Sequence, residues 1–168
     1  LIRSIALPTA EAGANRRLTL SGNSSSEGLL SLSQDKKMLT LTGYDAPVGT
    51  ASITSSASAT YNRVGGVIDE TGNVNTSTAL DIFTAQFITS AVVDGNNVWM
   101  GGGTINIYHT TIGATTATSI IARSGRSMRI FNNQLYASQV SGTNGPIVSI
   151  GTGLPTSTGQ TAAGLPGM

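Results

Sequence analysis

Apolar and polar residues change places every second position over short stretches, as in Leu29-Leu30-Ser31-Leu32-Ser33, Met38-Leu39-Thr40-Leu41-Thr42 and Ile147-Val148-Ser149-Ile150. A period of two directs alternate side chains to opposite faces of an extended chain, the mark of a half-buried strand. Apolar residues at the three-and-four spacing of a helix are not sustained in any window, because Gly and β-branched residues interrupt them. The alternating runs are rich in Val, Ile, Thr and Leu and are punctuated by turn residues, which predicts many antiparallel strands.

Strands are expected over 1–7 and 17–21, then over 29–33 and 38–42 around the turn Gln34-Asp35-Lys36-Lys37, where the Asp carboxylate accepts from turn amides. Pro47 closes that unit, because it cannot donate to a ladder. The Ser/Ala/Thr-rich stretch 51–59 reads as an edge strand or a loop. Next, 59–68 and 74–80 flank Asp69-Glu70-Thr71-Gly72-Asn73 as a second hairpin, and Gly65-Gly66 in its first arm predicts a bulge or a close approach of another segment.

From Phe87 the pattern repeats. Strands over 88–93 and 98–100 about Asp94-Gly95-Asn96-Asn97 superpose on 127–130 and 135–137 about Phe131-Asn132-Asn133-Gln134, with Trp99 and Tyr136 in the same place. Each is followed by glycine-rich sequence and a further alternation, at 105–108 and 147–150. The 37-residue step approaches the roughly 40 to 50 residues of a propeller blade. The expected fold is therefore all-β, a partial β-propeller of about three antiparallel blades in modules 1–86, 87–122 and 123–168, with a β-sandwich as the alternative. Three blades fall short of the roughly four to eight that close a ring.

Composition narrows the function. Only 10% of residues are charged and the net charge is +1, so no field steers a polyanion and counterion release gives nucleic-acid binding little to work with. Arg123, Arg126 and Arg129 cluster at helical spacing, but their Gly and Ser neighbours predict a solvated turn running into a strand. The absence of cysteine rules out disulfides and thiolate chemistry within this chain. No apolar run has the length of a membrane span.

Ser4-Ile5-Ala6-Leu7-Pro8-Thr9, Asn15-Arg16-Arg17-Leu18-Thr19-Leu20-Ser21-Gly22, Glu27-Gly28-Leu29-Leu30-Ser31-Leu32-Ser33 and Leu39-Thr40-Leu41-Thr42-Gly43-Tyr44-Asp45-Ala46, with Asn62-Arg63-Val64 and Gly151-Thr152-Gly153-Leu154-Pro155, resemble a group of secreted β-propeller-like proteins. The resemblance implies an exported protein about twice this length, of which the chain is an interior piece. It supplies no catalytic motif to carry over.

Candidate chemistry is sparse. His109 is the single histidine, so a multi-histidine metal site cannot form within the chain, and no G-x-S-x-G elbow suggests a triad. Turn capping accounts for Asp35, Asp69 and Asp94, which leaves Asp45 and Asp81, at strand ends, as the candidates for acid/base work. Gly101-Gly102-Gly103 lacks the Lys-Ser/Thr and the helix of a phosphate loop and reads as a turn or bulge. Trp99, Tyr108 and Tyr136 are candidates for a glycan-binding surface, although their place in the strand pattern also suits core packing. Asn23 and Asn75 stand in glycosylation sequons. No cofactor or metal is implied. The expected role is a non-enzymatic exported structural or recognition module. Its expected partners are the remaining blades, further copies of itself or glycans. The competing role is a carbohydrate-active hydrolase or lectin completed by blades outside this chain.

Overall fold

The computed structural model describes residues 4–103, 105–139 and 144–167. The described chain is all-β, with one 3₁₀ turn (Ile53–Ser55) as its only helical element. Twelve strands form three four-stranded antiparallel sheets. The first holds β1 (Ser31–Leu32), β2 (Met38–Tyr44), β3 (Arg63–Asp69) and β4 (Val74–Leu80). The second holds β5 (Ile88–Asp94), β6 (Asn97–Gly102), β7 (Ile107–Thr111) and β8 (Thr118–Ile121). The third holds β9 (Met128–Phe131), β10 (Gln134–Ser138), β11 (Ile147–Ile150) and β12 (Ala162–Gly164). Each sheet is an up-and-down meander whose first strand is one of its edges.

The turns follow local chemistry. Asp69 Oδ1 accepts from the amides of Thr71 and Asn73, both at 2.9 Å, which fixes the β3–β4 connection. Asn132 and Asn133 both take positive φ, 47° and 58°. This left-handed pair closes a two-residue hairpin with the right twist, and asparagine tolerates it better than most residues.

Two apolar seams join the sheets. Tyr44, Leu80, Ile88, Ala91, Val93, Val98 and Met100 pack between the first and second, while Val92, Trp99, Ile107, Ile120, Met128, Leu135 and Val148 pack between the second and third. The second sheet is thus covered on both faces, and residues 88–93 of β5 are all buried. The first and third sheets meet along β1 and β9 through polar contacts: Ser31 Oγ donates to Met128 O at 3.0 Å and Arg129 Nη2 to Leu30 O at 2.7 Å.

Residues expected as the opening strands behave otherwise. Residues 4–30 form no strand and run as a strap over the first sheet, held by the single bridge Thr19–Tyr44 and by Asn15 and Arg16 on Thr76. Leu18 fills a groove floored by glycine: a Cβ on Gly66 would stand 2.5 Å from Leu18 Cδ1. The ladder between β3 and β4 slips at this point, between Gly65 and Val67. Residues 51–59 are loop plus the 3₁₀ turn, and β7 begins at Ile107, which leaves Ile105 outside it and exposed.

Candidate functional site

The two candidate carboxylates are bound into the scaffold in different places. Asp45 follows β2, and its Oδ1 accepts from Arg17 Nε at 2.7 Å, while Arg17 Nη2 reaches Glu11 at 2.7 Å. The Asp45 hydrogen bond, with Glu11 beside it, raises the Arg17 guanidinium above its ordinary range. Asp45 therefore ties the strap to the first sheet. Asp81 follows β4 and accepts from the hydroxyl of buried Ser58, which also pairs with Thr84 Oγ1, so it pins the 51–59 loop to the 81–86 segment.

The same loop is held by a residue with no motif around it. Arg63, on β3, is fully buried and donates to Tyr61 O at 2.7 Å, Ser56 O at 3.0 Å, Phe83 O at 2.9 Å and Gln86 O at 3.1 Å. Its guanidinium lies 5.0 Å from the Tyr44 ring centroid. Burial lowers its pKa, yet an arginine stays charged, so four carbonyl dipoles and a ring face do the work a carboxylate does elsewhere. Burial and the hydrogen bond from its hydroxyl to Glu27 raise the Tyr44 pKa. Sequence patterning gives no signal for Arg63, since it occupies an ordinary polar position beside Val64.

The three aromatic candidates do not share a surface. Trp99 is fully buried in the seam between the second and third sheets, and its indole N–H donates to Pro155 O at 2.7 Å, so no ring face reaches solvent. Tyr108 packs against the opposite seam, edge-on to Phe83 at 5.1 Å. Tyr136 is half-buried on the outer face of the third sheet, beside a cleft of about 170 Å³ that Arg129 and Ile147 also line. His109 pairs with Asn97 Oδ1 at 2.9 Å and lies against Trp99, and burial lowers its pKa. Among the described residues, no three His, Asp or Glu side chains gather as a metal site.

The glycine run at 101–103 works by close approach. A Cβ on Gly101 would stand 2.0 Å from Gly125 O. The ladder between β5 and β6 slips opposite it, and the displaced Thr89 donates to Gly101 O at 3.0 Å and Gly125 O at 2.9 Å. Asn23 and Asn75 are both exposed, Asn23 in a bend and Asn75 on β4 with its Oδ1 accepting from Ser77 N and Oγ.

A cleft opens between two hairpin tips. It measures about 590 Å³ and lies between the β1–β2 turn and the β9–β10 turn. Gln34 Oε1 accepts from Asn133 N at 2.7 Å, so the two turns are clasped. Phe131, read from sequence only as a turn residue, is 65% exposed here. Comparison with family models, curated proteins and solved structures finds no match to the chain.

Proposed function

We propose that the chain is an exported, non-catalytic β-propeller module that serves structure or recognition. What supports the propeller reading is that each sheet is a four-stranded meander and that the three first strands approach one another, with successive sheets stacked across apolar seams. Radial stacking of this kind covers sheet faces that a lone meander leaves open. The observation that carries the non-catalytic reading is the engagement of both candidate acids: Asp45 in an ion pair with Arg17, and Asp81 in a hydroxyl cluster that fixes a loop.

The test is a panel of polysaccharides and glycosides assayed for released reducing ends with the wild-type chain, Asp45→Asn and Asp81→Asn. No turnover by any of the three is expected. Turnover by the wild type that either substitution abolishes overturns the reading. Export is tested separately by locating the protein in its source cells, where the extracellular fraction should hold it.

A further inference from the structure

We infer that the cleft between the β1–β2 and β9–β10 turns is a binding site for an oligosaccharide that carries a carboxylate, with Phe131 as the stacking platform and Lys36 as the partner of the acid. The inference deepens the recognition reading above and rests on it.

Phe131 differs in kind from its counterparts in the other two sheets. The last residue before the first turn of each sheet is Ser33, Asp94 and Phe131 in the three sheets. Ser33 spends its hydroxyl on Asp35 and on the Met38 amide, which is ordinary turn chemistry. A phenylalanine offers the turn nothing of that kind, and its ring stays 65% exposed across the cleft from Leu32, itself 46% exposed. A flat apolar ring in a cleft that amide side chains also line suits the C–H face of a pyranose.

The polar groups around that ring are unspent. Gln34 uses only its Oε1, on Asn133 N, and no hydrogen bond engages its Nε2 or the side-chain amides of Asn132 and Asn133. Left-handed turn geometry explains why asparagines occur at 132 and 133. It leaves their amides free to pair with hydroxyls, each as donor and acceptor. Lys36 is held at φ 63° on the other turn and lines the same cleft, whereas no carboxylate lines it and none of the described ion pairs involves Lys36. The neighbouring Asp35 is turned away into Ser33 Oγ and Lys37 N. An aromatic platform, the two free side-chain amides of Asn132 and Asn133, the free Nε2 of Gln34 and one unpaired ammonium match a sugar chain with an acidic substituent. At about 590 Å³ the volume falls within the range of small-ligand sites.

The experiment is an NMR titration of the full chain with a hexamer of α-1,4-linked galacturonate, with cellohexaose as the neutral counterpart. Saturable shifts at the backbone amides of residues 34, 36 and 131–133 are expected with the acidic hexamer. Phe131→Ser should weaken its binding about tenfold or more, as loss of an aromatic anchor does. Lys36→Asn, which keeps a residue suited to left-handed backbone, should reduce the acidic hexamer to the affinity of the neutral one. Both side chains are exposed, so spectra unchanged outside the cleft will certify the fold. No saturable shifts at these amides, or binding indifferent to Phe131→Ser, overturns the site. Sensitivity to Phe131→Ser without sensitivity to Lys36→Asn overturns the assignment of the acid. Reducing ends are measured in the same samples. Cleaved hexamer refutes the non-catalytic reading and leaves the cleft standing, whereas intact hexamer without shifts refutes the cleft alone.

Discussion

Substituting Gly101 by alanine tests the junction of the second and third sheets. The added Cβ would lie 2.0 Å from Gly125 O, 2.8 Å from its carbonyl carbon and 3.0 Å from its Cα. Those are backbone atoms, so no rotamer change relieves the overlap, and residues 123–126 must withdraw by about 1.4 Å, from 2.0 Å to the 3.4 Å of an ordinary contact. That movement stretches two hydrogen bonds, Thr89 Oγ1 to Gly125 O at 2.9 Å and Gly125 N to Gly102 O at 3.2 Å. Overpacking at about 1–3 kcal/mol plus two hydrogen bonds at about 1 kcal/mol each gives a loss of about 3–5 kcal/mol. For a chain of this length that lowers Tm by roughly 6 to 20 °C.

Equilibrium urea unfolding is the assay, because an unchanged slope with a lower midpoint isolates native-state stability from changes in compactness. Two comparisons sharpen it. Gly102→Ala would meet the buried Phe83 ring at 2.5 Å but displaces no backbone, so it should cost the overpacking alone, about 1–3 kcal/mol. Gly95→Asn, at φ +55° with nothing within 4 Å, should stay within about 1 kcal/mol of wild type. A Gly101→Ala protein within 1 kcal/mol of wild type would refute the close approach of β6 to residue 125.

Trp99→Phe keeps most of the buried ring and strands Pro155 O, so a loss of about 1–3 kcal/mol is expected, against about 3–5 kcal/mol for Trp99→Ala, both read by calorimetry. Arg63→Met keeps length and burial but frees four carbonyls; a loss of roughly 3 kcal/mol or more should come with rapid proteolysis within residues 51–62 and retained strand circular dichroism. Asp69 titrates at about 2 in the folded chain because Thr71 and Asn73 donate to its carboxylate. Its folded value is below the unfolded value near 3.9, so its contribution is complete above about pH 4 and disappears as pH falls toward 2. Protection of the Thr71 and Asn73 amides, measured as exchange relative to the intrinsic rate at each pH, should fall over that window and not above it.

The sequence displays the hairpins because their information is local. Asp35, Asp69 and the pair Asn132-Asn133 sit where turn geometry demands them, and the alternating runs beside them become β2, β4, β9 and β11 nearly residue for residue, whereas the arm expected over 59–68 becomes β3 only from Arg63. The strap is misread for a related reason. Residues 17–21 alternate apolar and polar like a strand and bury Leu18, yet their backbone partners are Pro8, for Leu18, and Tyr44, for Thr19, and they supply one bridge to the first sheet rather than a ladder. Arg63 is invisible for the opposite reason: its four acceptors are carbonyls of any residue type, so no motif marks them. Trp99 and Tyr136 occupy the same position of the repeat, but the third sheet buries Trp99 and nothing described covers Tyr136. Residue identity therefore cannot assign either of them to core or surface.

The low charge and the abundance of hydroxyls acquire a structural meaning at the sheet junctions. Each first strand is an edge, with backbone carbonyls that its own sheet does not use. Buried hydroxyls serve all three junctions: Thr40 donates to Ala91 O at 2.7 Å, Thr89 to the O of Gly125, just before β9, at 2.9 Å with Ser90 beside it, and Ser31 to Met128 O at 3.0 Å. A hydroxyl satisfies such a carbonyl at far less desolvation cost than a charge. Opposite outcomes are expected for two neighbouring threonines of β2, both buried. Thr40→Val is nearly isosteric and leaves Ala91 O dry, so it should cost about 1–3 kcal/mol. Thr42 Oγ1 is buried without a partner, so Thr42→Val removes an unpaid desolvation and should be neutral or stabilising by about 1 kcal/mol. Urea midpoints that shift by the same amount in both variants would mean that the junction hydroxyls are incidental to the packing, and the link from composition to architecture would fail.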